Sequence, residues 1–207
     1  MKTSLYPILF AVLVILSSNV FAQRPDVIEL PAPQKTGGKP LFDAIAARQS
    51  VKEFSDKEVP LRELSTILWS AYGFNREDKR VIPTSSDYQH LSVFVFLKDA
   101  VYLYDAKENK LFKKADGDHR KIIGSQDFVY VAPVNLLFVS DGTKGAGTGS
   151  YISVGCAAQD IYLASASLGL ATTVRTAGIN AEAVRPLLKL AATDELIAAQ
   201  TVGYKPE

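Results

Sequence analysis

Between residues 92 and 105 the chain reads SVFVFLKDAVYLYD. Two runs of β-branched and aromatic residues, 92–97 and 101–105, flank the polar pair Lys98-Asp99. Such runs favour pleated backbone, and two strands joined by so short a connection must pair antiparallel. Every further element then has to extend that sheet or cover it. A third strand is expected at residues 110–113, after the Glu108-Asn109 turn. VNLLFVS (134–140) is apolar almost throughout, the mark of a strand buried on both faces. LATTVRTAG (170–178) starts as a strand, and LIAAQTVGY (196–204) supplies the last.

The covering helices are marked by their start and stop residues. Pro40 opens a short helix ending near Arg48, with Leu41, Phe42 and Ile45 on one face. Pro60 opens a second, where Leu61, Leu64, Ile67, Leu68, Ala71 and Tyr72 keep helical spacing up to Gly73. Residues 74–90 are polar and irregular, and 118–131 have room for a helix. A long helix over 151–168 carries Ile152, Gly155, Ala158, Ile161, Tyr162 and Ser165 on one stripe, and Gly169 stops it. The small residues of that stripe let another helix approach closely. Asn180 caps a last helix through Leu190. The expected fold is α+β, a mostly antiparallel sheet flanked by helices.

Residues 1–22, MKTSLYPILFAVLVILSSNVFA, have a basic start, an apolar run over 5–16 and small residues before Gln23. This is the pattern of a secretory signal peptide cleaved after Ala22, and it predicts export, to the periplasm. A retained N-terminal anchor is the alternative, although the run is short for a membrane span and contains Pro7. No stable span is expected after cleavage. Residues 23–39, rich in Pro, Gly and polar side chains, read as an extended lead-in, and 40–207 as one domain. The formal net charge of +1 argues against a nucleic-acid partner. Cys156 is the only cysteine, so no intramolecular disulfide can form, and its apolar setting in GCAAQ predicts a small buried residue. With two histidines and one cysteine, a zinc site is not expected.

Two familiar chemistries fail on inspection. GAGTGS (145–150) follows a strand and precedes a helix, but Ser150 stands where a dinucleotide loop needs its last Gly, and no Gly-Lys-Ser/Thr ends it. No GxSxG is present, and His90 and His119 stand in contexts that do not build a catalytic triad.

AARQSVKEF (46–54) is more informative. In extended backbone Arg48, Ser50 and Lys52 share one face. Two cations and a hydroxyl there suit an anion such as phosphate; a solvated edge is the plain alternative. Further along come PTSSDYQ (83–89) just before a strand, the hairpin, APVNLLFVSD, the long helix ending LASASLGLATT, and a terminal TVGYKPE. This order resembles the flavin-dependent nitroreductase family, on the branch of the azoline-forming peptide dehydrogenases, from residue 30 to 207. No single motif carries the resemblance; order and spacing do.

What the resemblance implies is an FMN site. Arg48, Ser50 and Lys52 match the segment that binds the phosphate and ribityl chain, with Lys in place of a third-position Arg. Pro83, Thr84, Ser85, Ser86, Asp87, Tyr88 and Gln89 match the loop along the flavin ring. Asp87 stands where the family has Asn. Beside the ring its charge would disfavour the reduced flavin; turned outward it would cap the following turn. Ala177 and Gly178, in Arg175-Thr176-Ala177-Gly178, match the turn whose backbone N–H approaches flavin N5, and Lys205 matches a last phosphate contact. The resemblance also implies a homodimer sharing each flavin between subunits. The substrate, a small molecule or a peptide, is not legible. Export removes the usual nicotinamide donor, so the electron donor is unknown. A non-catalytic flavin-binding protein, or a degenerate fold serving as an interaction module, is the alternative.

Overall fold

A computed structural model describes residues 24–144 and 147–207; the leader read at 1–22 lies outside them. The 92–105 segment folds as a hairpin, with β2 (Leu91–Phe96) antiparallel to β3 (Ala100–Asp105) and Phe94 opposite Leu103. In chain order the elements are β1 (Val27–Glu29), α1 (Leu41–Ala47), α2 (Leu61–Tyr72), β2, β3, β4 (Lys110–Asp116), α3 (Phe128–Val131), β5 (Val134–Ser140), α4 (Thr148–Leu168), β6 (Ala171–Arg175), α5 (Ala181–Leu188) and β7 (Glu195–Gly203). The strands form one sheet in the order β1-β4-β3-β2-β5-β7-β6, antiparallel at each pairing. Strand β7, last in the chain, lies between β5 and β6, so α4 carries the chain across the sheet from one to the other.

Strand alternation sorts the side chains onto two buried faces. Val93, Val95, Tyr102, Leu136 and Phe138 meet Leu64, Ile67 and Leu68 of α2 and Val154 and Ile161 of α4. Phe94, Phe96, Leu137 and Val139 meet Ile123 and the α5 residues Val184 and Leu188. Each fully buried Leu or Ile on these faces contributes about 2 kcal/mol relative to an exposed one. No helix among the described residues is long and apolar enough to cross a membrane, and no group of His, Cys, Asp and Glu among them could hold a metal ion.

Several expectations need adjusting. The lead-in contains a strand: β1 pairs with β4, and the Asn109 side chain donates to the carbonyls of Leu30 and Pro31 at 3.1 and 3.0 Å. The 118–131 segment holds a 3₁₀ turn over Arg120–Ile123 and only then the short α3. Helix α5 is capped by Asn180 as expected but ends at Leu188, because Lys189 turns left-handed (φ +55°) and its N–H closes back on the carbonyls of Arg185 and Pro186. Cys156 is half-buried rather than buried. The apolar face of α1 is turned outward: Leu41 is 60%, Phe42 81% and Ile45 47% exposed, and only Ala44 is buried.

Candidate functional site

The segment after α1 is extended and alternates as its residues predict. Val51 faces inward onto Phe54, Ala132 and Ala171, and its N–H donates to the carbonyl of Thr172 on β6. Arg48 and Ser50 face the other way, toward Tyr162 of α4. The Arg48 guanidinium lies over the Tyr162 ring, 5.3 Å from its centroid, and Ser50 Oγ is 2.7 Å from Tyr162 Oη. That hydroxyl also accepts from the N–H of Val174 on β6, at 3.1 Å. Farther along, the N–H of Ser55 donates to the carbonyl of Tyr204, which brings Lys52 and Lys205 to the same edge of the sheet. Among the described residues Arg48, Lys52 and Lys205 have no acidic partner. Positive charge left uncompensated on one edge is what an anionic group requires.

At the far end of β6 the chain turns through exposed Thr176, Ala177 and Gly178. Gly178 has φ +85°, and a Cβ on it would stand 2.8 Å from Ser125 N, so the turn lies flat against residues 124–125. Arg175 anchors this turn from inside. It is 7% exposed and donates to the carbonyl of Ile123, to Asn135 Oδ1 at 3.0 Å and to Thr201 Oγ1 at 3.1 Å. No carboxylate among the described residues pairs with it, and burial pushes its pKa down to about 10. Arg175 is therefore a clamp under the turn rather than part of a ligand surface.

The 83–89 loop is elsewhere. Ser85 packs against Gly149 in the first turn of α4, where a Cβ would come within 2.7 Å of the Ser85 Cβ. Gly149 and Tyr162 are separated by thirteen residues of α4, which at about 1.5 Å per residue is about 20 Å. One chain thus places the Arg48 edge and the 83–89 loop at opposite ends of its long helix.

The loop is strained and clamped. Ser86, Asp87 and Gln89 have φ of +47°, +57° and +45°, a region costing non-glycine residues on the order of 1 kcal/mol each. The 78–80 stretch offsets this. Gln89 donates to the carbonyl of Asp78 at 2.7 Å and accepts from Arg80 Nε at 3.0 Å. Arg80 stacks 4.0 Å from both the Tyr72 and Phe74 ring centroids. Thr84 closes the loop, its Oγ1 accepting from Gln89 N at 3.3 Å. Asp87 does not cap the following turn: Lys79 is hydrogen-bonded to its carboxylate and, with Gln89, holds it below the usual range. The charge that would disfavour a reduced ring is thereby matched by a cation. Lys79, Arg80 and Tyr162 are not singled out as site residues by the sequence. The only hint is an aromatic hydroxyl within a stripe of small residues.

Behind the loop His90 is 2% exposed, and among the described residues neither ring nitrogen has a hydrogen-bond partner. Burial holds its imidazole below the ordinary value of 6.5, with Lys144 adding to the shift and Asp141 opposing it. The unfolded chain therefore takes up the proton first, and the His90 contribution to stability is lost as pH falls below about 6.5. Asp160 on α4 works the opposite way: burial pushes its carboxyl up to about 6, so its contribution falls as pH rises from about 4 to 6. The difference between wild type and His90→Leu isolates the histidine. The variant's urea midpoint is expected to gain on the wild type's between pH 7.5 and 5.5; parallel curves would show that His90 does not titrate with unfolding.

A cavity of about 1080 Å³ lies between Arg24, Val59, Leu61, Arg120 and Val131; it reaches the Arg48 edge at Ser55 and shares none of the predicted site residues.

A sequence model of the Nitroreductase family matches residues 45–204. A solved structure from Ralstonia eutropha JMP134, of a protein named for that family, superposes with a TM-score of 0.81 at 33% identity, over 88% of this chain and 91% of that one. A Methanocaldococcus jannaschii protein with a nitroreductase name is 28% identical over 186 residues, 81% of this chain and 89% of its own. A Desulfovibrio desulfuricans structure also named for the family, solved in complex with FMN, shares the fold with a TM-score of 0.62 at 21% identity, over 83% of this chain and 89% of that one.

Proposed function

Because the chain belongs to the nitroreductase family, we propose that it is an exported, homodimeric, FMN-dependent oxidoreductase whose flavin sites each take the Arg48 edge from one copy and the 83–89 loop from the other. The observation that carries this reading is the edge itself. Arg48, Lys52 and Lys205 lie along one edge of the sheet with no acidic partner among the described residues, and Ser50 on the same segment is exposed. A phosphate fits those donors by charge and by hydrogen bonding.

When bound, FMN supplies two-electron transfer through its N5. The chain's part is to hold and expose. Arg48, Ser50, Lys52 and Lys205 take the phosphate end, and the Ala177-Gly178 turn offers backbone at the far end of β6. The clamped 83–89 loop of the partner copy closes the site. No side chain is assigned a proton-transfer role. The substrate is a small molecule or a peptide, and outside the cytoplasm the electron donor is something other than a nicotinamide.

Three features support the dimer. The residues of α4 that touch the two half-sites, Gly149 and Tyr162, are about 20 Å apart along the helix. Leu41 and Phe42 on α1 and Tyr151 and Ile152 on α4 are exposed apolar side chains. Gly155, one turn further along α4, has no neighbour within 4 Å where a Cβ would stand, so nothing among the described residues requires glycine there.

Residues 23–207, purified, are expected to be yellow, to release FMN in equimolar amount on heating, and to run as a dimer by light scattering. A colourless monomer that takes up no added FMN would overturn the reading and leave an interaction module.

A further inference from the structure

We propose that Tyr162 makes Ser50 a one-way hydrogen-bond donor toward an anion: a relay runs from the Val174 N–H through the Tyr162 hydroxyl to the Ser50 hydroxyl, and ends on the phosphate of FMN. This rests on the flavin reading above and adds a positioning residue to it.

The direction follows from counting donors. Strand β6 is the last in the sheet, so its outer backbone groups need partners from outside the ladder. Val51 supplies one by donating to the Thr172 carbonyl. The Val174 N–H can only donate, and it donates to Tyr162 Oη at 3.1 Å. Tyr162 is 7% exposed, so its own O–H also needs an acceptor. Among the described residues the one within reach is Ser50 Oγ, at 2.7 Å. Tyrosine therefore donates to serine. Were the serine to donate instead, the buried phenolic O–H would be left without an acceptor. A hydroxyl has one proton, so the Ser50 O–H is free to point away from Tyr162, outward from its exposed position.

The relay aligns three dipoles head to tail, each strengthening the next. It ends beside Arg48, which the same Tyr162 ring supports from below. A fixed donor beside a cation selects an anion over a neutral acceptor. Riboflavin and FMN differ only in the phosphate, so the relay acts on the difference between their affinities.

The test is fluorescence titration of the flavin-free protein with each flavin. Wild type is expected to prefer FMN strongly. Tyr162→Phe keeps the ring under Arg48 and removes the relay. It is expected to lower the FMN-over-riboflavin ratio about tenfold while leaving riboflavin binding in place, the scale of one hydrogen bond to a charged group. Ser50→Ala, at an exposed position, is expected to do the same, and the double variant to be no worse than either single one. A ratio unchanged in Tyr162→Phe, or in Ser50→Ala should the tyrosine variant not fold, would overturn the relay while leaving the phosphate edge intact. Additive losses in the double variant would also overturn it. A wild type that binds FMN no better than riboflavin would overturn the edge itself, and the relay with it.

Discussion

Replacing Arg175 with alanine is expected to destabilise the fold by about 3 kcal/mol, the combined cost of a vacated core volume and buried acceptors left unpaired. For a domain of this size that is a fall in Tm of roughly 10 °C. The guanidinium bonds groups far apart in sequence: Ile123 before α3, Asn135 on β5 and Thr201 on β7. Thr201 also donates to Asn135 Oδ1 at 2.6 Å, so the amide keeps a partner when the arginine is gone, whereas the Ile123 carbonyl loses its donor. Burying a cation without a carboxylate carries a desolvation cost, and removing it returns part of the loss, which is why the figure is not larger. Lysine is not expected to rescue, since it lacks the planar fork that reaches three acceptors at once. A Tm within 3 °C of wild type in Arg175→Ala would show that the clamp is dispensable.

The second large effect is on cofactor loading. Arg48→Ala is expected to weaken FMN binding at least a hundredfold, about 3 kcal/mol, and to leave the protein colourless after purification. Stability should change little, since Arg48 is half-exposed and, among the described residues, forms no ion pair and lies over the Tyr162 ring. Full flavin retention by a folded Arg48→Ala protein would sink the assignment of the phosphate edge. Lys52→Ala, one alternation further on, is expected to cost less, because an ammonium on a flexible stem makes a looser phosphate contact than a guanidinium.

Much of the architecture is legible in the chain because its signals are local. The hairpin, the continuous run of β5 and the spacing of Leu64, Ile67, Leu68 and Ala71 each declare themselves within a dozen residues. Gly73 and Gly169 stop their helices where expected. What escapes reading depends on distant partners. Strand β1 is three residues long in a proline-rich segment, and only its pairing with β4 makes it a strand. Arg175 reads as part of a turn, and only the fold shows that its side chain goes inward. The Ser50–Tyr162 contact joins residues 112 apart. At Asp87 the sequence exposes the departure but not the neighbour, Lys79, that neutralises it. The apolar face of α1 is legible as apolar, but which surface covers it is not encoded within one copy.

That α4 carries a different half-site at each end has a consequence for inheritance. In the proposed dimer, damage to the Arg48 edge of one copy and damage to the 83–89 loop of the same copy fall in different sites. Two alleles, one broken at each end, can then meet in a mixed dimer with one wholly intact site and one doubly broken. Two alleles broken at the same end leave every site defective. Complementation between alleles thus sorts substitutions by the end of the helix they belong to.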